Sequence, residues 1–152
     1  MANLVPNIAK GRVVELYNRV KSNDPSTSVL VLVPLETTGL VSDATLLDYD
    51  DLSTLLAGAT NEQTTMGRKT LTDADLAALP APDDTNDRYD VSLPAVTWTA
   101  ATGNAISKIA VCYAPVSGGA DSTHIPIAIF DRAETPSGSD IVLSAGVFFR
   151  VS

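Results

Sequence analysis

The chain holds one cysteine, one histidine and one tryptophan in 152 residues. A single cysteine excludes an intramolecular disulfide. Cys112 lies inside the apolar run Ile109-Ala110-Val111-Cys112-Tyr113 and reads as a small buried hydrophobe. As a nucleophile it would need a base beside it, and the chain offers one histidine. A lone cysteine fits a reducing compartment. His124, with one distant cysteine, leaves no ligand set for zinc. No nucleophile elbow G-x-S-x-G accompanies it, so it reads as a partly exposed loop residue at a strand entrance. Neither Gly-rich phosphate loop is present. Aromatic residues are only 5% of the chain, too few to line the sugar cleft that paired glycosidase carboxylates serve. The ten basic residues are scattered among eighteen acidic ones, for a net charge of −8. Without a basic face, nucleic acid is not an expected partner. Every apolar run is far shorter than the roughly 20 residues of a membrane-spanning helix. The start, Met1-Ala2-Asn3-Leu4-Val5-Pro6-Asn7, lacks the basic and apolar regions of a signal peptide. The expectation is a soluble protein made in the cytoplasm, with no membrane partner.

Two acidic groups are candidate sites. Asp48, Asp50 and Asp51 stand at the start of an expected helix, where carboxylates meet free backbone N–H groups. Residues 83–87 form an oxygen-rich loop that lacks the spacing of a Ca²⁺ loop. The reading is helix capping and a solvated loop. No catalytic residue, metal ligand or cofactor is expected.

What is present is apolar and strand-forming. Hydrophobic residues make up 45% of the chain, which excludes disorder over its whole length. Residues 28–35 form a continuous β-branched run, read as a strand buried on both faces, with Pro34 demoting its end to an edge. In residues 88–100, Tyr89, Val91 and Leu93 share one face; Pro94 breaks the strand, and Val96 and Trp98 keep one parity after it. Three further strands are expected over 105–115, 125–132 and 141–151, separated by Gly, Pro, Ser and Asp, in an antiparallel meander whose last strand is buried. Ile109, Val111 and Tyr113 oppose Ala110, Cys112 and Ala114; Ile125, Ile127 and Ile129 oppose Ala128 and Phe130. Both faces are apolar, so the sheet is covered on both sides or by another subunit.

Helical signals are fewer. In residues 9–21, Val13, Leu16, Tyr17 and Val20 follow the i, i+3, i+4, i+7 spacing of an amphipathic helix. Residues 50–58 begin with acids and end at Gly58, as a short helix does. Residues 72–80 suit a helical turn. The expected fold class is mainly β: an antiparallel β-sandwich or jelly-roll-like barrel with one or two short helices. Residues 1–9 are expected as an extended arm and 10–152 as a single domain.

The order of these segments resembles small virion proteins of tailed bacteriophages. The start Met1-Ala2-Asn3, the helical Ala9-Lys10-Gly11 and the strand Val29-Leu30-Val31-Leu32-Val33 are similar to that family. So is the closing half. There, Ala105 to Tyr113, a Gly/Ser/Asp turn, Ile125 to Asp131, the turn Thr135-Pro136-Ser137-Gly138-Ser139-Asp140 and Gly146 to Val151 follow one another. Residues 37–87 depart from it. The resemblance is to capsid decoration (cement), minor capsid or head-fibre proteins, and it rests on order and spacing. It implies a structural protein on the capsid exterior that clamps the major capsid protein and assembles with itself, often as a trimer. A clip that binds only the expanded shell stabilises it by mass action, and many copies add avidity.

On that reading Leu4, Val5 and Pro6 of the arm would reach across a subunit boundary. Tyr89, Trp98 and Tyr113 are candidate interface anchors, since Trp and Tyr are favoured at binding hot spots. Core packing is the other role open to each, and the commoner one. The competing readings are another virion part (tail-tube, tail-terminator or fibre-base protein), a carbohydrate- or ligand-binding β-sandwich using Trp98 and the 83–87 loop, and an enzyme.

Overall fold

The centre of the molecule is a strand pair that is apolar on both faces, β2 (Val29–Glu36) and β6 (Ile106–Ala114). The structure, a computed structural model, describes residues 3–58 and 61–152. Around that pair run β1 (Asn3–Leu4), α1 (Val13–Lys21), α2 (Asp43–Leu46), α3 (Leu52–Ala57), β3 (Lys69–Leu71), α4 (Asp73–Leu76), β4 (Tyr89–Leu93), β5 (Val96–Trp98), β7 (Ile125–Glu134), β8 (Ile141–Leu143) and β9 (Gly146–Val151). The fold is mainly β, and its sheets are antiparallel. The main sheet has five strands in the order β1-β7-β6-β2-β3. No helix among the described residues is long and apolar enough to cross a membrane.

Alternation along β6 sorts its side chains as the sequence predicts. Ile109, Val111 and Tyr113 join Leu30 and Leu32 in one core; Ala110, Cys112 and Ala114 join Val29, Val31 and Val33 in the other. The first core is closed by Val13, Leu16, Tyr17 and Val20 of α1, all buried at the predicted helical spacing, together with strands β4, β5, β8 and β9. The second is closed by Leu46 of α2 and Leu52 and Leu55 of α3. The layering is sandwich-like, with the five-stranded sheet in the middle.

Local chemistry fixes the covering helices. Asp51 caps α3 by accepting the Thr54 N–H at 2.8 Å, and Gly58 ends it. Thr72 and Asp75 form a capping box on α4, in the segment expected as a helical turn. The additional helix α2 is capped by Ser42, which accepts the Thr45 N–H at 3.3 Å. Pro34 sits past the end of β3, which pairs only with Leu30, Val31 and Leu32. Its carbonyl accepts the Gln63 N–H at 2.9 Å on that same side. The missing proline N–H therefore faces a place where the ladder has already stopped.

Three expectations are corrected. In β7 the predicted alternation slips: Val111 faces Ala128 but Cys112 faces Pro126. Ile127 is the extra residue of a bulge, so Ile127, Ala128 and Phe130 line the first core while Ile129 enters the second. The third strand of the expected meander leaves the main sheet. Residues 141–151 split at Ser144-Ala145 into β8 and β9, which pair with β5 and β4. That last strand is also largely exposed, with only Phe148 fully buried. Residues 3–9 of the expected arm lie on the domain: β1 pairs with β7, Asn7–Ala9 forms a 3-10 turn, and Pro6 and Ala9 are buried. Residues 1 and 2 of that arm lie outside the described residues.

Gln63 pins the loop between β2 and β3. Its side chain is buried, donates to the Asn104 carbonyl at 2.8 Å and accepts the Thr65 N–H at 2.8 Å. Gly103 touches it with φ +113°, and a Cβ there would stand 2.4 Å from Gln63 Nε2. Gly103→Ala combines backbone strain with displacement of a bonded amide. It should cost roughly 1–3 kcal/mol, read as a lower midpoint in urea or heat. An unchanged midpoint would show that Gln63 gives up its bonds freely.

Candidate functional site

Strands β4–β5 and β8–β9 make one long ribbon. Leu93 faces Gly146 and Val96 faces Leu143, so a single register runs through the breaks at Pro94-Ala95 and Ser144-Ala145. Its inner side carries Tyr89, Val91, Leu93, Val96, Trp98, Ile141 and Leu143, all buried. Near the end the register shifts, Val91 facing Phe149 and Ser92 facing Val147. Phe148 is the extra residue of this bulge. The bulge turns it into the core, edge-on to Tyr17 at 6.1 Å and to Phe130 at 5.9 Å. Burial pushes the Tyr17 hydroxyl up to about 12.

The outer side of the ribbon is different in kind. Val142 and Val147 are 42% and 48% exposed there, while Val151, opposite Tyr89 on the inner face, is 45% exposed at the strand's end. Beside Val147 lies a recess of about 360 Å³ lined by Leu93, Phe130, Phe148 and the small residues Ser144, Ala145 and Gly146. Asp90 and Arg150, directly opposite in the ladder, close on each other at 2.5 and 3.0 Å. That bond holds the Asp90 carboxyl below its usual range. The charges on the face of Val147 are thus paired with each other. In its own sheet β9 pairs only with β4, and β8 only with β5. Among the described residues, backbone donors and acceptors on their other edges have no ladder partner.

The predicted interface residues are not gathered here. Trp98 is 1% exposed, with Nε1 donating to the Gly67 carbonyl at 2.9 Å. Tyr89 is buried and donates its hydroxyl to Asn18 Oδ1 at 2.7 Å. Tyr113 is buried between Leu30 and Ile125 in the ladder, and Pro6 is buried at the start of the 3-10 turn. These four serve the chain's own core, because each aromatic ring or proline ring faces a covering layer. Leu4 and Val5 are half-buried, Leu4 against the second core and Val5 against the first. The missed residues are Val142 and Val147. Their signal was the Arg150 inside the last apolar run and the Ser144-Ala145-Gly146 break before it.

Other singled-out groups also find their places. Cys112 is fully buried, and burial pushes its thiol up to about 12. His124, expected in part outside, is 2% exposed because the Asp121–Thr123 3-10 turn folds it under the start of α3. Asp83 spends its carboxylate within its own loop, on Asn86 Nδ2 at 2.7 Å and on the Thr85 and Asn86 N–H groups at 3.2 Å. No group of three or more His, Cys, Asp or Glu side chains able to hold a metal ion occurs among the described residues.

The chain matches no family model, no curated protein and no solved structure.

The core position of Trp98 has a direct test. Trp98→Phe should lower stability by about 1 kcal/mol, through the lost bond to Gly67, and leave the native mass unchanged. A changed mass at unchanged stability would return the ring to an interface.

Proposed function

We propose that this protein is a structural virion component that decorates the outer surface of a tailed-phage capsid, working as a homo-oligomer by contact and not by chemistry. The trimer is the order that the phage resemblance implies, and the major capsid protein is its partner. One observation carries the reading: the exposed apolar strip of Val142 and Val147 on the outer side of open-edged strands, with Val147 beside a recess lined by Phe130 and Phe148. Such a strip gains free energy when a partner surface excludes water from it, at about 25 cal/mol per Å² of apolar area removed. Its backbone edges can add a partner strand by main-chain hydrogen bonds. The net charge of −8 keeps separate copies soluble and disfavours acidic partners.

Purified protein added to expanded, empty phage shells and imaged should appear as ordered density on the outer surface. Light scattering on the protein alone should give a multiple of 15.9 kDa. Val142→Asp with Val147→Asp should weaken shell attachment on the order of tenfold or more. The melting temperature should stay close to that of the parent, since both side chains face solvent. Bare shells, or attachment untouched by the double substitution, would overturn the reading.

A further inference from the structure

At one end of the main sheet a guanidinium is clamped between two carboxylates. Arg68 donates from Nε and Nη2 to Glu62 at 2.8 and 2.7 Å, and from Nη1 and Nη2 to Asp121 at 2.6 and 2.9 Å. The clamp joins the segment before β3 to the β6–β7 connection. At neutral pH these three groups sum to one negative charge. His124 is packed beside them. Among the described residues neither ring nitrogen has a hydrogen-bond partner, and Nδ1 stands 3.6 Å from Asp121 Oδ1, beyond bonding distance. The His124 carbonyl accepts the Leu52 N–H at 2.9 Å, so the first residue of α3 hangs from it.

The charged and titratable groups around His124 come from four elements. Asp121 is on its own 3-10 turn. Glu62 and Arg68 come from the segment before β3. The Cys112 thiol comes from β6 and feels all three of those charges. Asp51, at the start of α3, has its carboxylate committed to Ser53 Oγ at 2.7 Å and the Thr54 N–H at 2.8 Å. Of these, Asp121 favours a charged imidazole, Arg68 opposes it, and burial opposes it most. The carboxylate that could receive its proton-bearing nitrogen is already occupied by Arg68 on both oxygens. With that carboxylate held by Arg68 and 3.6 Å away, a charged imidazole gains no hydrogen bond where the ring now sits.

We propose that His124 is an acid-sensitive latch: charging its imidazole releases the α3 corner from the sheet and opens the core over Cys112, while the opposite core stays packed. The direction follows from linkage. Burial holds His124 below its ordinary 6.5 in the folded chain, so the folded form binds fewer protons than the open one. The stabilisation is complete above about pH 6.5 and is lost as pH falls through the depressed folded value. Asp121 is held below 3.8 by Arg68, so its own protonation comes at lower pH.

The chain carries its own reporters: one histidine, one cysteine in the second core and one tryptophan in the first. Labelling of Cys112 by 4,4′-dithiodipyridine is followed against pH, each rate divided by that of a free-thiol peptide at the same pH. The ratio should rise by up to about tenfold per pH unit below 6.5, while Trp98 fluorescence holds steady. The single His Hε1 resonance should titrate below 6.5 over the same range. His124→Gln should flatten the labelling profile. If that variant does not fold, the parent's resonance and labelling profile decide the matter. A histidine titrating at or above its ordinary value, a flat ratio in the parent or a slope that survives His124→Gln would overturn the latch. So would a Trp98 change in step with labelling, since the opening would then be global.

Discussion

The structure depends on a sheet whose two central strands have no polar face. All nine residues of β6 except Ser107 are buried, and so are the first seven of β2. A two-sided apolar sheet is stable only between two covering layers, since each large side chain left uncovered would forfeit about 1.5–3 kcal/mol. Every other element can be read as an answer to that demand. The first face receives the amphipathic α1, with a T-shaped aromatic cluster at its edge and the long ribbon beside it. The second receives α2 and α3, of four and six residues, with Leu4, Leu40, Val41 and Tyr49 beside them. Helices so short do not persist alone. They hold because three leucines anchor them and because caps and the His124 carbonyl fix their ends. The two faces are unequal in strength, and the weaker one is where the acid-sensitive corner lies.

What the sequence made legible follows from how much contrast each segment carries. Helix α1 was readable because polar Arg12, Glu15, Asn18 and Arg19 separate its apolar positions, leaving one possible buried face. The Tyr89 to Trp98 segment was readable for the same reason at a period of two. In β7 the contrast vanishes: Ile125-Pro126-Ile127-Ala128-Ile129-Phe130 is apolar throughout, so no alternation tells where an extra residue enters. The bulge at Ile127 is set by the partner strand, and only the ladder reveals it. His124 was misjudged by the same reasoning. A loop position predicts exposure only when nothing folds over the loop, and the contact between that turn and α3 is non-local.

The candidate surface was the least legible part, for a reason of register. Gly146, Val147, Phe148, Phe149 and Val151 look in sequence like one buried strand. The bulge opposite Val91 and Ser92 breaks their equivalence. It sends Phe148 to the core and leaves Val147 outside. A one-residue irregularity thus converts a core strand into a strand with an inner aromatic and an outer aliphatic side. The aromatics that composition nominated as anchors were drawn inward by the demand of the main sheet.

The outer side then has the anatomy of a contact surface. The apolar strip is flanked by Asp90 and Arg150, whose charges already satisfy each other across the ladder. A partner that lands there need not desolvate an unpaired ion, which is the usual cost of burying charge. It meets valines and a recess with an aromatic floor, and a polar rim remains in solvent as in ordinary interfaces. The fixed excess of negative charge elsewhere acts over about 8 Å at physiological salt, enough to orient an approaching surface but not to hold it. On the proposed reading, adhesion at the ribbon would be a matter of excluded water and fitted shape, and raised salt should slow its onset more than weaken it.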